Sequence, residues 1–190
     1  MVLWFSKATR KSKLIWSIIP PILWLPLTVF WLFVYNSIGQ VNAQKRDYYV
    51  NYDFKGSFTV IESKCGEEPI IENNRLQFKI PNNGVYLFNG ELKSGHIDRR
   101  VFLKQSNGKT VQLKDGIWPT KPEEKDTMGK EEIIDYWGGS FGTRTDQKNN
   151  ESNFITINIE TNKVYTEKQI WKMQRDQDKL IKEQLTNCEK

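Results

Sequence analysis

Near its start the chain carries a long stretch without a charged side chain, from Leu14 to Tyr35. As a helix rising about 1.5 Å per residue, a stretch of this length spans roughly 33 Å, close to the hydrocarbon thickness of a bilayer. The stretch therefore predicts one transmembrane helix at residues 14–36. The basic residues before it predict that residues 1–13 form a cytoplasmic tail.

A cleaved signal peptide is the alternative explanation for this stretch. Val41-Asn42-Ala43 resembles a small-residue cleavage site. The apolar stretch is, however, longer than the 7 to 15 residues usual for a signal peptide, which favours an uncleaved signal anchor. Whether cleavage occurs stays open. No cysteine directly follows the stretch, which argues against a lipoprotein anchor, and the predicted location is the outer face of the inner (plasma) membrane.

The positive charge of the chain is concentrated near its N-terminus. The whole sequence has 28 basic and 23 acidic residues, a net charge of +5, and six of the basic residues but none of the acidic ones lie within residues 1–46. The remainder is close to neutral. The main argument for nucleic-acid binding is therefore lost, and no nucleic-acid partner is expected.

After a polar linker the pattern is typical of β-strands joined by short turns. Apolar and polar residues alternate at 75–80 and at 154–160, as in strands with one buried face. An Asn-Gly pair at 107–108, between alternating runs at 99–105 and 109–114, is the strongest local signal for a hairpin. Short strands with such turns predict an antiparallel β-sandwich or barrel-like domain.

Two polar stretches interrupt the strand pattern, Ile117–Met128 and Thr145–Asn153. We predict that both are exposed loops and the main candidates for binding elements, since loops commonly carry function.

From Thr166 onward the pattern turns helical, with a capping box formed by Thr166 and Gln169. The apolar residues that follow predict an amphipathic C-terminal helix, which either docks on the sheet, extends from it or binds a partner.

These boundaries give five predicted segments: tail 1–13, transmembrane signal anchor 14–36, linker 37–46, extracytoplasmic β domain 47–164 and C-terminal helix 165–190.

The two cysteines, Cys65 and Cys188, would lie outside the cytoplasm, where a disulfide is permitted. Their wide separation in sequence leaves the pairing open. One histidine and two cysteines without C-x-x-C spacing make a poor zinc ligand set. The chain also lacks a phosphate-binding or cofactor motif, so no cofactor is expected.

Two constellations could support a hydrolase. Residues 138–142 satisfy G-x-S-x-G with Ser140 in the centre, but the single histidine, His96, precedes this serine, against the order of the α/β hydrolases. A glycine-rich bend with a β-bulge is the alternative. Ser94, His96 and Asp98 alternate and would share one face of an extended strand. The more ordinary interpretation is a bend at Gly95, with Asp98 capping the turn or pairing with a following arginine.

The stretch from Tyr52 to Leu113 resembles an uncharacterised domain family of Gram-negative cell-envelope proteins, many of them lipoproteins or membrane-anchored proteins. The matching pieces are FKGSFTVIES, RLQFKIPNNGVY, LKSGHID and FLKQSNGKTVQL. The family usually has an aromatic residue where this chain has His96. The resemblance implies an envelope β domain and supplies no functional residues.

The sequence thus predicts a mainly β protein with one transmembrane helix and a C-terminal amphipathic helix. We expect a non-enzymatic binding module of the envelope, with no catalytic, cofactor or metal residues, whose partner is a protein, peptide or glycan. Two alternatives are a hydrolase that uses His96 with Ser140 or Ser94, and an accessory subunit of a membrane complex.

Overall fold

The computed structural model describes residues 10–116, 121, 125, 130–145 and 151–188. Contacts divide the chain into two compact units, Met1–Ala43 and Gln44–Lys190. The helices and strands are α1 Arg10–Val41, β1 Gln44–Asn51, β2 Ser57–Glu67, β3 Ile70–Glu72, β4 Arg75–Lys79, β5 Val85–Phe88, β6 Ile97–Lys104, β7 Thr110–Gln112, β8 Asp115–Gly116, β9 Ile133–Thr145, β10 Glu151–Thr161 and α2 Glu167–Cys188.

The first unit contains α1, and the prediction of a transmembrane signal anchor here is wrong. Within the described residues, no helix is both long enough and apolar enough to cross a membrane. α1 runs beyond the apolar stretch and takes in Asn36, Ser37 and Gln40. The side chains of Asn36 and Ser37 donate hydrogen bonds back to helix carbonyls. An apolar stretch predicted a helix here, but a helix in this place does not by itself make a membrane span.

Parts of three other predictions lie outside the described residues. These are residues 1–9 of the predicted tail, most of the loop 117–128, and residues 146–150 of the loop 145–153, whose described residues belong instead to strands β9 and β10.

The second unit is mainly β and is built on two five-stranded sheets. Sheet A has the strand order β3-β4-β1-β6-β7, and sheet B has the order β5-β2-β10-β9-β8. The predicted Asn-Gly hairpin is confirmed as the antiparallel pair of β6 and β7.

Both sheets are mixed, so the prediction of an antiparallel sandwich is wrong in this respect. β1 runs parallel to both of its neighbours, β4 and β6, and β2 runs parallel to β5. β10 is antiparallel to β2 and β9. The chain passes repeatedly from one sheet to the other, so a strand's neighbour in sequence is often not its pairing partner. Short turns between strands therefore did not reveal strand direction.

The two sheets meet across an aromatic core. Tyr48 of β1 stacks on Phe78 of β4 with ring centroids 5.1 Å apart, and its ring lies 5.3 Å from that of Phe58 in β2. Phe78 also meets Phe88 of β5 edge-on at 5.1 Å. Because β1 and β4 belong to sheet A and β2 and β5 to sheet B, these rings join the sheets. Aromatic pairs at such distances add directional attraction to apolar burial.

Sheet B is covered on both faces. In β2 the consecutive residues Phe58–Ile61 are all buried, as expected for a strand with apolar cover on both sides. Phe58 belongs to the core between the sheets, whereas Ile61 packs with Val85 of β5 and Ile181 of α2 in a separate cluster. α2 therefore docks on the outer face of sheet B, a point that the sequence left open.

The start of α2 confirms the predicted capping box. The backbone nitrogen of Thr166 donates to Gln169 Oε1 at 2.9 Å, and the backbone nitrogen of Gln169 donates to Thr166 Oγ1 at 3.4 Å. Further along, Gln177 Nε2 donates to the backbone oxygen of Ser57 at 3.0 Å and to Thr59 Oγ1 at 3.1 Å. These bonds attach the middle of α2 to β2.

Cys65 of β2 and Cys188, the last residue of α2, form a disulfide with their Cα atoms 5.6 Å apart. The two cysteines are 123 positions apart in sequence. The disulfide thus fastens the C-terminal end of α2 to the strand that it covers.

Candidate binding face

The G-x-S-x-G sequence at 138–142 lies inside a strand. β9 continues through the whole motif, and Ser140 pairs with Thr156 of β10. Gly138 and Gly139 have φ angles of 73° and 135°, and the register of the two strands shifts beside them, which makes a β-bulge. A nucleophile elbow needs a sharp turn from a strand into a helix, and these residues form no such turn.

His96 and Ser94 lie in the exposed segment that leads into β6. The strand begins at Ile97, after His96. Of Ser94, His96 and Asp98, which were expected to share one face of an extended strand, only Asp98 therefore lies in a strand. Gly95 has a φ of 101°, which glycine adopts without strain, and it makes the predicted bend. Ser140 belongs to a strand of sheet B, whereas His96 stands at the entrance to a strand of sheet A.

The Asp98 carboxylate binds Arg75, a residue distant in sequence. Arg75 Nη1 donates to Asp98 Oδ2 at 2.5 Å, and Arg75 Nη2 donates to the backbone oxygen of Asp98 at 2.9 Å. The hydrogen bond from Arg75 holds the pKa of Asp98 below its ordinary value, against a smaller opposing effect of burial. The expectation that Asp98 caps its own turn or pairs with Arg99 or Arg100 is wrong, because each of these arginines pairs with a different aspartate.

The outer face of sheet A carries its side chains in four rows across the strands, as the strand registers place them. The rows are Glu72, Arg75, Lys45 and Asp98; then Ile70, Gln77, Asp47 and Arg100; then Lys79, Tyr49, Phe102 and Gln112; then Asn51, Lys104 and Thr110. The charged network is the group of ion-paired side chains of the first two rows, Asp47, Arg75, Asp98 and Arg100, together with Gln77, which is hydrogen-bonded to Asp47. The group of Tyr49, Lys79, Phe102 and Lys104 is called the aromatic ridge.

Asp47 is the centre of the charged network. Its carboxylate accepts hydrogen bonds from Arg75 Nε at 2.6 Å, from Arg100 Nε and Nη2 at 2.9 and 2.7 Å, and from Gln77 Nε2 at 3.2 Å. Only 3% of Asp47 and 7% of Arg75 is exposed, although both lie on the outer face. Burial alone raises the pKa of Asp47, but the hydrogen bonds from Arg100, Arg75 and Gln77 together outweigh it and hold the pKa below its ordinary value. The network is thus ionised, rigid and neutralised from within.

The aromatic ridge stands next to this network. The rings of Tyr49 and Phe102 stack with centroids 5.1 Å apart and planes inclined by 16°. Arg100 Cζ lies 5.5 Å from the centre of the Phe102 ring, and the same guanidinium is held by Asp47. The charged network therefore fixes a cation over the ridge, a favourable cation–π arrangement.

Lys79 lies beside Tyr49, and Lys104 lies beside Phe102. Lys79 pairs in register with Tyr49, and Lys104 follows Phe102 by two positions on β6. Both side chains are exposed, and neither has an ion pair or side-chain hydrogen bond within the described part of the chain. The ridge therefore combines stacked aromatic rings with two cations that have no counter-ion among the residues that the structure describes.

Two further features carry less weight as sites. A cleft of about 190 Å³ lies between α2 and the loop before β2, lined among others by Phe54, Met173 and Asp176. This volume is below the roughly 300–1,000 Å³ typical of small-molecule pockets. Among the described residues, no group of three or more His, Cys, Asp and Glu side chains could hold a metal ion. The outer face of sheet A is therefore the strongest candidate.

Sequence reasoning missed this face. Asp47 and Arg75 are 28 positions apart and lie on parallel strands, a pairing that the turn pattern did not predict. The usable signal was the alternation in β1, where Tyr48 and Val50 face the core and Asp47 and Tyr49 do not. β1 itself begins at Gln44, inside the segment 37–46 that was predicted to be a linker.

Comparisons with known proteins give little further information. No family model matches the chain, and no curated protein matches it. A crystal structure described as a "Putative Lipoprotein from Bacillus anthracis" is similar over 61% of this chain and 71% of its own, at 12% sequence identity and a TM-score of 0.42. Like many members of the envelope family described under the sequence analysis, it is named a lipoprotein. Similarity at this level supports no argument about fold or function.

Proposed function

We propose that this protein is a non-enzymatic binding module of the cell envelope that takes an acidic protein or peptide segment on the outer face of sheet A. The observation that carries the proposal is the aromatic ridge, in which two stacked rings lie beside two lysines that have no counter-ion within the described part of the chain.

The disulfide supports an extracytoplasmic location. Cys65 and Cys188 are paired, and the chain has no other cysteine. Structural disulfides form and persist in oxidising compartments and are rare in the cytosol. This support is independent of how the N-terminal unit behaves.

The composition of the ridge favours a protein partner. Aromatic residues and arginine are enriched at protein interfaces, and rings that are already ordered lose little entropy on binding. Lys79 and Lys104 supply attraction for carboxylates, and the charged network beside them keeps Arg100 in place. The ridge and the network together offer the partner a surface that is organised before binding.

The geometry of the rings argues against sugar stacking. One face of Phe102 lies against Tyr49, and Arg100 stands over the same ring at 5.5 Å. The Phe102 ring is therefore already engaged by two protein groups, whereas a pyranose would need a broad free ring face. A glycan is accordingly the less favoured ligand.

Photocrosslinking in cells that produce the full chain tests the proposal. A photoreactive phenylalanine analogue replaces Gln112, which lies beside Phe102 on this face, and in a second strain it replaces the exposed Lys179 of α2. We expect a protease-sensitive adduct from position 112 only. It should disappear in the Lys79→Glu/Lys104→Glu variant and weaken at high salt, since attraction between exposed charges is screened.

The matched control reverses two exposed lysines on α2, Lys168→Glu/Lys172→Glu. These changes alter the net charge equally and should leave the adduct intact. An adduct that survives Lys79→Glu/Lys104→Glu would refute the proposed site. A protease-resistant adduct would identify a glycan instead, and equal adducts from positions 112 and 179 would show no preference for this face.

A further inference from the structure

The attachment of α2 to the domain depends on few contacts. Ile181 is the buried residue of the helix, and it packs against Ile61 and Val85 with partly buried neighbours. Gln177 adds polar contacts to β2. Trp171, one turn into the helix, is 60% exposed. The C-terminal disulfide is thus the covalent link that keeps a lightly packed helix on sheet B.

The two cysteines of this disulfide differ in exposure. Cys65 is exposed, whereas Cys188 is partly buried. Ser63 stands beside both, with its Oγ at 2.8 Å from Cys188 Sγ and 3.4 Å from Cys65 Sγ. Since the sulfurs of a disulfide carry no hydrogen, the serine hydroxyl is the donor, and its nearer acceptor is Cys188.

We propose that Cys65–Cys188 is a thiol–disulfide exchange site for a dithiol reductant, such as a thioredoxin-like protein, and that its opening releases α2 from sheet B. The proposal is independent of the ligand-binding function of sheet A.

The exchange has two balanced steps. A thiolate of the reductant attacks the Sγ of Cys65, the more exposed cysteine, the Cys65–Cys188 bond breaks, and Cys188 leaves as a thiolate that takes up a proton. The second thiol of the reductant loses its proton and attacks the reductant's own sulfur in the mixed disulfide. Cys65 then leaves as a thiolate and takes up a proton. The reductant ends as a disulfide, and two electrons pass to the cysteine pair.

Ser63 gives the exchange its direction. A leaving sulfur departs faster when its thiolate is stabilised, and the hydroxyl of Ser63 is placed to donate to the thiolate that forms on Cys188. This stabilisation is needed because Cys188 ends α2, and the C-terminus of a helix disfavours a negative charge. Ser63 is therefore a positioning residue for the departing sulfur.

Release of α2 uncovers an apolar strip on sheet B. The strip consists of Ile61, Val85, Leu87 and Phe154, which now pack against Ile181 and its neighbours. Reduction would thus expose the outer face of sheet B in addition to the outer face of sheet A.

The first test measures the rate at which free thiols appear when the full chain is treated with dithiothreitol under native conditions. We expect a rate proportional to dithiothreitol concentration, and about a tenfold lower rate in Ser63→Ala. Ser94→Ala, which changes an exposed serine away from the disulfide, should react like the unmodified chain. A rate independent of dithiothreitol, equal to that of global unfolding, would overturn the exchange site.

The second test follows amide hydrogen exchange in α2 before and after reduction. We expect protection of residues 177–188 to fall sharply while the strands of sheet A keep theirs. The Cys65→Ser/Cys188→Ser variant should show the same low protection without reductant and should not respond to it. Retention of full α2 protection in the reduced chain and in this variant would overturn the release of the helix.

Discussion

The outward side chains of the two sheets are buried in different ways. On sheet B, Ile61 and Val85 point outward, and α2 covers them with Ile181. On sheet A, Asp47 and Arg75 point outward and are nearly as well buried, but the residues that cover them are their own ion-pair partners. The outer face of sheet B is covered by a helix. On the outer face of sheet A, the buried charges neutralise one another.

This difference shows what each face is suited to do. Covering apolar side chains removes area from water and stabilises the fold directly. A buried ion-pair network offsets its own desolvation and adds little net stability, although removing one member is costly. The network on sheet A joins β4, β1 and β6 through Arg75, Asp47 and Asp98. Its main effect is therefore to fix the register of parallel strands and leave an ordered face open.

The largest expected effect comes from removing the centre of the charged network. Asp47→Ala should lower the free energy of unfolding by about 3 kcal/mol, since it leaves the buried guanidinium of Arg75 with only the half-exposed Asp98 as a carboxylate partner and removes the partner of Arg100. Asp98→Ala is the matched control, because the Asp98 side chain is 47% exposed and should cost about 1 kcal/mol or less. Urea denaturation measures both. Equal losses of unfolding free energy would contradict the difference in burial between Asp47 and Asp98.

On sheet B the corresponding change is Ile181→Ala. We expect a loss of about 2–3 kcal/mol from the cavity beneath α2, because Ile181 is only 4% exposed. Ile170→Ala changes the same residue type on the same helix at a position 45% exposed, and it should stay within about 0.5 kcal/mol of the unmodified chain. Thermal and urea unfolding measure the difference. An Ile181→Ala protein of unchanged stability would show that α2 does not close this face.

Acid should destabilise sheet A through Asp47. Its folded pKa lies below the unfolded value of about 3.9, so its contribution is fully present above that value. The contribution is lost as pH falls from about 4 through the folded pKa. Urea denaturation at pH 7, 5, 4 and 3 should show a drop below pH 4 that is smaller in Asp47→Asn. An identical acid response of the two proteins would contradict the assignment.

The smallest effect on stability is expected from the cations of the aromatic ridge. Lys79→Glu/Lys104→Glu should change the free energy of unfolding by no more than about 0.5 kcal/mol, because neither side chain has a partner within the described part of the chain. Circular dichroism and urea denaturation check this. A large loss of stability would assign these lysines to the fold and would remove the basis for a binding role.

Much of the local structure was predictable from the sequence. The alternation at 75–80 gave β4, the Asn-Gly turn gave the β6–β7 hairpin, and Thr166 with Gln169 gave the start of α2. Each of these signals acts over a few residues, so the information is present in a short piece of chain.

The candidate site was not predictable in the same way. His96, Ser94 and Ser140 attracted attention as residue types, but the ridge depends on Tyr49 and Phe102 becoming neighbours on parallel strands. The sequence holds both residues without indicating that they meet.

By itself, the sequence determined several of the strands, the β6–β7 hairpin and the two helical segments, because side-chain alternation, turn residues and caps act locally. Only the tertiary structure decided that β1 lies between β4 and β6, that Cys65 meets Cys188, and that Asp47 binds Arg75. These contacts join residues far apart along the chain, and they form only when the burial of two sheets and a helix selects one packing from many that the same local elements would allow.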